Sequence, residues 1–376
     1  MKATLERREV KQISPYGRND SAGEHEALGA SAGATTGAER WAAVCTTTGT
    51  AVWAGIAVLA RIGVARLGAI ELLFLFAPLV IVPLGLELGR ALGGGGRFHE
   101  LARRLQPVGA ALAGVAMVLP PGRAAGLVAV GWLLVCVLVA LDGAGKLLLA
   151  LSQDAGEGAF DYRSGQVRAT WSTRATRIAM GVAGVDLAVG GAWLVASRLG
   201  MRPMGIQEPI GLLTAVHFHF AGFATAMIGA AMLRFAERRG GHSWLPVLVL
   251  MVAGLPFVVA AGFVISPALK VAAAILFSVS VAGLAIWLRG FGRTVDDAIA
   301  QILLQVAAGA VFAGMMLSAI YAVADYLGSD VLTIPQMART HGILNAVGFC
   351  LPGLLGWLVE SGNQRPTKEE WRETVH

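Results

Sequence analysis

Six polar residues stand inside or at the ends of long apolar runs: Glu71, His217, His219, Asp325, His341 and Asn345. An ionisable group at membrane depth costs roughly 2.5–3.5 kcal/mol on insertion scales, so each one needs a physical reason. Imidazoles and carboxylates that converge there can relay protons, hold a metal ion or bind a small polar ligand or ion. The opposing reading is that they satisfy one another as bonds between helices. His217 and His219 are two residues apart, about 200° around a helix, so they face opposite sides and cannot both ligate one metal. Tyr321 with Asp325, and His341 with Asn345, are each four apart, so each pair shares a face. A metalloprotease-type H-E-x-x-H is absent. The candidate metal ligands are His217, His219 and His341, although no motif requires a metal or any other cofactor. Asp186 is the deepest carboxylate, whereas Glu87 and Asp142 lie near helix ends where they can reach water.

The elements that must position these groups follow from composition. The 376 residues are 56% hydrophobic and 14% charged. Soluble domains carry about 25% charged residues, so this composition belongs to a membrane protein. A hydrocarbon core of about 30 Å takes roughly 20 apolar residues per helix. Ten runs qualify: 42–60, 68–89, 106–121, 123–145, 178–197, 210–233, 244–265, 268–288, 298–322 and 339–359. Breaks fall at Pro120-Pro121 and Ser266-Pro267, because the residue before a proline is biased away from helix. With the N-terminus inside, 23 of the 30 Lys and Arg fall on the cytoplasmic side. That asymmetry is the positive-inside pattern for an even number of spans. The fold class is therefore an all-α polytopic bundle of about ten spans, with N- and C-termini cytoplasmic. Residues 1–40 read as a disordered basic tail, 41–361 as the transmembrane domain and 362–376 as a short charged tail. On this bookkeeping Glu71, His217, His219, Asp325, His341 and Asn345 meet in the outer leaflet.

Other features narrow the field. Cys45, Cys136 and Cys350 sit in apolar stretches with no C-x-x-C spacing and read as buried thiols. The basic excess marks orientation, not a nucleic-acid face. No G-x-x-x-x-G-K-[ST] nucleotide loop and no G-x-S-x-G elbow is present, and Gly93 to Gly96 reads as a flexible linker. Pro78 and Pro83 interrupt the second span, freeing carbonyls in mid-membrane, a device that transporters use to build ion and substrate sites. Gly222, Ala226 and Ala230 form a small-residue row on the sixth span that admits a close neighbour. Trp41, Trp193, Trp244, Trp287 and Trp357 fall near helix ends, the level an amphipathic ring prefers.

Two resemblances add to this. The run Leu213–Phe223 (LTAVHFHFAGF), the run Arg339–Phe349 (RTHGILNAVGF) and the stretch Glu71 to Leu88 with its two prolines resemble the YndJ-like family of bacterial membrane proteins. The likeness extends over most of the chain from about residue 40. It implies a multi-pass membrane protein of transporter type, with no substrate attached. Separately, Val216-His217-Phe218-His219-Phe220 is similar to the His-Phe-His segment of haem–copper oxidases, whose two histidines ligate different haems. That resemblance implies further ligands, including a His-Pro-Glu motif, which this chain lacks. Three functions stay open on the residues: a transporter or small-ligand-binding protein using the six residues, a membrane-embedded metal- or haem-binding enzyme using the same histidines, and a structural or sensory protein with no site. The lipid bilayer is the partner common to all three.

Overall fold

The computed structural model describes residues 20–152, 160–161, 166–167, 171–240, 244–329 and 331–363. The chain divides into two units, Met1–Trp41 and Ala42–His376, and the packing below is that of the second. The helices among the described residues are α1 (Asp20–Arg61), α2 (Ala69–Ala91), α3 (Arg97–Val118), α4 (Arg123–Ser152), α5 (Trp171–Leu199), α6 (Ile210–Arg238), α7 (Leu245–Ile265), α8 (Pro267–Phe291), α9 (Ala298–Tyr326) and α10 (Ile334–Gly362). Two two-residue strands, β1 (Phe160–Asp161) and β2 (Gln166–Val167), pair antiparallel between α4 and α5. Residues from Asp20 onward in the expected N-terminal tail are helical; residues 1–19 and 364–376 of the two expected tails lie outside the described residues.

Among the described residues, nine helices are long and apolar enough to cross a membrane, and the fold is a polytopic helical bundle. The remaining helix is α3. It begins nine residues before the expected third span because its first turns take up Arg97, His99, Glu100, Arg103 and Arg104. Local chemistry sets the helix ends. Ser266 is extended and its hydroxyl accepts from the Leu269 N–H at 3.2 Å, so Pro267 opens α8 as its first residue. Asp297 caps α9 by accepting from the Ile299 and Ala300 N–H groups. Thr333 and Gln336 form a reciprocal capping box at the start of α10.

Consecutive helices pack on one another from α3 through α6 and again from α7 through α10, while α2 lies against α3, α6 and α10. The α6 span is almost wholly buried and α2 is the next most buried, so these two form the centre, and α1 is the most exposed span. The α4–α5 contact brings backbones together: a methyl group on Gly143 would stand 2.8 Å from the Gly181 carbonyl oxygen. Lipid offers no hydrophobic drive between helices, so such close approach is a main source of association. Gly222 of the small-residue row abuts α5, and Ala226 and Ala230 are fully buried. Trp357, expected near a membrane interface, is instead a core residue.

Three central helices leave α-geometry. π-helical segments occupy Ala77–Ile81 in α2, Phe218–Ala224 in α6, and Ala338–Gly342 with Leu344–Cys350 in α10. The α2 case follows from its prolines. In π register the Val82 N–H bonds the Ala77 carbonyl. The next donor would be Pro83, which has no N–H, so the Pro78 carbonyl loses its helical partner. Gln106 of α3 fills the gap: its side-chain amide donates to Pro78 O at 2.6 Å from a position only 2% exposed. In α6 the Phe220 carbonyl accepts both the Thr225 N–H and the Thr225 hydroxyl, the latter at 2.9 Å. Irregular backbone at membrane depth is thus satisfied inside the protein.

Candidate functional site

A cavity of about 810 Å³ lies among α5 to α10, with Leu73 of α2 on its wall. Its lining is mainly apolar and includes Phe218, Phe220, Phe257 and Phe277. The polar groups on it are few: Thr214, His217 and Thr225 from α6, Lys270 from α8, Ser318, Tyr321 and Asp325 from α9, and His341 and Asn345 from α10.

Both imidazoles have one nitrogen engaged by backbone. His217 Nδ1 lies 2.7 Å from the Leu213 carbonyl oxygen one turn earlier, and His341 Nδ1 lies 2.8 Å from the Gly314 carbonyl oxygen of α9. A carbonyl only accepts, so Nδ1 carries the proton in each neutral ring and Nε2 keeps a lone pair. Asn345 Nδ2 donates to the His341 carbonyl at 2.7 Å, closing the i,i+4 pair read from the sequence. It packs on α9 where Gly314 leaves room: a methyl group there would stand 2.7 Å from Nδ2. Asp325 at the end of α9 bonds Lys270 of α8 at 2.7 Å, and the Lys270 ammonium also lies 5.1 Å from the Phe263 ring centre.

Of the six residues singled out in the sequence, His217, Asp325, His341 and Asn345 share this cavity, and Glu71 and His219 stand apart from it. Glu71 turns back on its own helix, accepting the Gly68 N–H at 3.0 Å as the N-terminal cap of α2. His219 points the other way from His217, as the two-residue spacing requires, and is fully buried. Its Nδ1 meets the Ala215 carbonyl at 2.7 Å, and its Nε2 accepts from the Trp132 indole N–H at 2.9 Å. The Trp132 and Phe74 rings stack and edge against it. Both His219 nitrogens are therefore engaged, so neither is free to ligate a metal or haem in this arrangement. Among the described residues no group of three or more His, Cys, Asp and Glu is placed to hold a metal ion.

Other polar groups inside the bundle have different settings. Asp186 of α5 is fully buried against Gly222, and neither carboxylate oxygen has a hydrogen-bond partner. Glu87, read as reaching water, is 3% exposed and pairs with Arg90, with Arg103 of α3 at 3.7 Å. Asp142 of α4 pairs with Lys146 and lies 3.7 Å from His99 of α3. An ionic layer thus ties α2, α3 and α4 together near the C-terminal end of α2, remote in sequence from every residue of the cavity except Leu73. Lys270, Ser318 and Trp193 of the cavity were not among the residues singled out as site candidates. In the sequence Trp193 reads as an interface anchor, and Lys270 as one of the seven Lys and Arg that fall outside the cytoplasmic side. Ser318 carries no sequence signal beyond its place seven residues before Asp325.

The family model described as YndJ-like protein matches residues 72–349, which hold α6 and every cavity-lining residue of α10 except Cys350. The uncharacterized membrane protein YndJ of Bacillus subtilis (strain 168) is 31% identical over 180 residues, which is 47% of this chain and 32% of that protein. The matched region therefore spans about a third of the relative's length. No solved structure matches the chain.

Proposed function

We propose, for a chain that belongs to the YndJ-like family, that the cavity among α5 to α10 is a ligand-binding or transport site with His217, His341 and Asn345 on its wall and Asp325 at its mouth. The observation that carries this reading is that two imidazoles from different helices, each with one nitrogen fixed by backbone, share one cavity. Each histidine of α6 spends Nδ1 on its own helix, His219 on Ala215 and His217 on Leu213, but His219 Nε2 is taken by Trp132 of α4, whereas among the described residues His217 Nε2 meets no hydrogen-bond partner. Both histidines flank or sit in π-helical segments, and such segments accompany functional sites in helices more often than chance placement would give.

The surrounding residues have supporting roles in this scheme. His219 fixes the rotation of α6 through Trp132, which turns His217 toward the cavity. Glu71 caps α2. The protein is a multi-pass bacterial membrane protein, and with α3 counted as a crossing both termini lie in the cytoplasm, in keeping with the placement of its Lys and Arg. The mouth, formed by the α5–α6, α7–α8 and α9–α10 connections, then opens to the outside.

The test is native mass spectrometry of the purified protein released gently from detergent. A bound small molecule is expected in the parent protein and is expected to be lost in both His217→Ala and His341→Ala. Retention of the same bound mass in both variants would remove these histidines from the site.

A further inference from the structure

The geometry points to the class of ligand: an uncharged single-chain amphiphile whose polar group donates hydrogen bonds, seated with that group near His217, Ser318 and His341 and its chain running down to Thr225 and Cys350. This rests on the reading of the cavity as a ligand site and adds the chemistry of the occupant.

Depth comes first. His217 is seven residues from Ile210, Ser318 seven from Asp325 and His341 seven from Ile334, and Ile210, Asp325 and Ile334 all line the cavity at helix ends on one side. At 1.5 Å per residue the three polar residues form a level about 10 Å below the mouth. Trp193, six residues from the end of α5 at Leu199, lines the cavity at nearly the same level. Below that level the cavity continues to Thr225 and Cys350, eight and nine residues further along α6 and α10; both stretches are largely π-helical, so they are shorter than the ~12 Å that the α-helical rise would give. That lower part is walled by Phe220, Pro256, Phe277 and Val281, with the Thr225 hydroxyl already bonded to Phe220 O. It is a slot for hydrocarbon. The whole volume of about 810 Å³ lies within the range of sites that enclose a sizeable organic ligand, roughly 300–1,000 Å³.

Charge comes second. Among the described residues, the only ones lining the cavity that carry full charge are Lys270 and Asp325, and they bond one another at the mouth. An ionised group seated at the histidine level would find no counter-ion there, and an unpaired buried charge costs far more than a buried hydroxyl. Third is hydrogen-bond polarity. With Nδ1 of both rings donating to backbone, each Nε2 can only accept; that of His341 already lies 3.5 Å from Asn345 Nδ2, so His217 Nε2 is the open acceptor, which suits a hydroxyl-bearing ligand and is wrong for a carboxylate. Finally, Met204, Phe263, Val264 and Ile265 at the rim are among the exposed apolar residues of the chain, so the mouth meets hydrocarbon as well as water. An amphiphile can pass along that rim without crossing a polar barrier.

Trp193 makes the test direct. The full chain is placed in phosphatidylcholine nanodiscs and titrated with a monoacylglycerol carrying bromines on its chain, which quenches indole fluorescence on contact. Free glycerol and the matching brominated fatty acid in its ionised form serve as comparisons. Saturable quenching by the monoacylglycerol at low mole fraction is expected, with most of its amplitude lost in Trp193→Phe. Binding about tenfold weaker is expected for His217→Leu and for the ionised fatty acid, as for the loss of one buried hydrogen bond. His217→Gln, which keeps an acceptor, is expected to hold the affinity and shows that loss in the leucine variant is not misfolding. Quenching that rises linearly with mole fraction and equally in Trp193→Phe, or a fatty acid that binds as well as the monoacylglycerol, would overturn the amphiphile. If the amphiphile fails while His217→Ala and His341→Ala still abolish a co-purifying ligand, the cavity site stands and only its ligand class falls.

Discussion

Replacing Gln106 by Leu isolates the hydrogen bond that repairs α2. The substitution keeps side-chain volume and removes the donor 2.6 Å from the Pro78 carbonyl, at a position 2% exposed, where water cannot substitute. Leaving a buried acceptor unsatisfied costs about 1–3 kcal/mol, while interhelical bonds in membranes average about 0.6 and reach about 1.7 kcal/mol. The expected destabilisation is therefore about 1–2 kcal/mol by these two bounds. The cause can be separated from general damage by adding Pro83→Ala. That change restores an N–H at the position whose π-register partner is Pro78 O, so the carbonyl regains a donor without Gln106. In the Pro83→Ala background, Gln106→Leu is expected to cost less than about 0.5 kcal/mol, a coupling of the size seen for residues in one network. Reversible unfolding in mixed micelles, followed by circular dichroism on all four proteins, gives the cycle. An equal cost of Gln106→Leu in both backgrounds would refute the proline-repair argument.

Three further outcomes are expected. Trp132→Phe leaves His219 Nε2 without its donor, and should lower stability by about 1 kcal/mol in the same unfolding assay. Gly143→Val places a side chain against the Gly181 carbonyl, 2.8 Å from where its first carbon would sit; it should cost about 1–3 kcal/mol as overpacking, whereas Gly145→Val, which meets nothing, should cost under about 1 kcal/mol. Glu87→Leu strips Arg90 and Arg103 of a buried carboxylate, and is expected to be the most damaging of the three, at about 3 kcal/mol; a neutral result by thermal unfolding would show that the ionic layer is solvated.

The helices were legible because each apolar run is long and bounded by charge or proline. The start of α3 was not, since Arg97 to Arg104 looks like a solvated loop until α2 and α4 are seen to supply Glu87 and Asp142 nearby. Position near a span end suggested water for those carboxylates; only tertiary neighbours reveal their burial. The opposite directions of His217 and His219 followed from angular spacing alone, and so did the shared face of His341 and Asn345. Which of the two histidines meets the cavity depended on where Trp132 lies, 87 residues earlier in the chain. Glu71 was drawn into the cluster by its depth, although a glutamate three residues after Gly68 at a helix start is also a capping position. The prolines of α2 announced a broken helix, but the π register and the glutamine that completes it are properties of the packed α2–α3 pair.

The central claim, an outward-opening cavity walled by α6, α9 and α10, is tested most directly by the accessibility of Ser318 in a Cys45, Cys136 and Cys350 to Ser background. Ser318→Cys should react with a membrane-impermeant methanethiosulfonate applied to the outer face of spheroplasts. Ile320→Cys, two residues away on an exposed apolar face, should react far more slowly. Equal rates at the two positions, or reaction of Ser318→Cys only in inverted vesicles, would contradict the account.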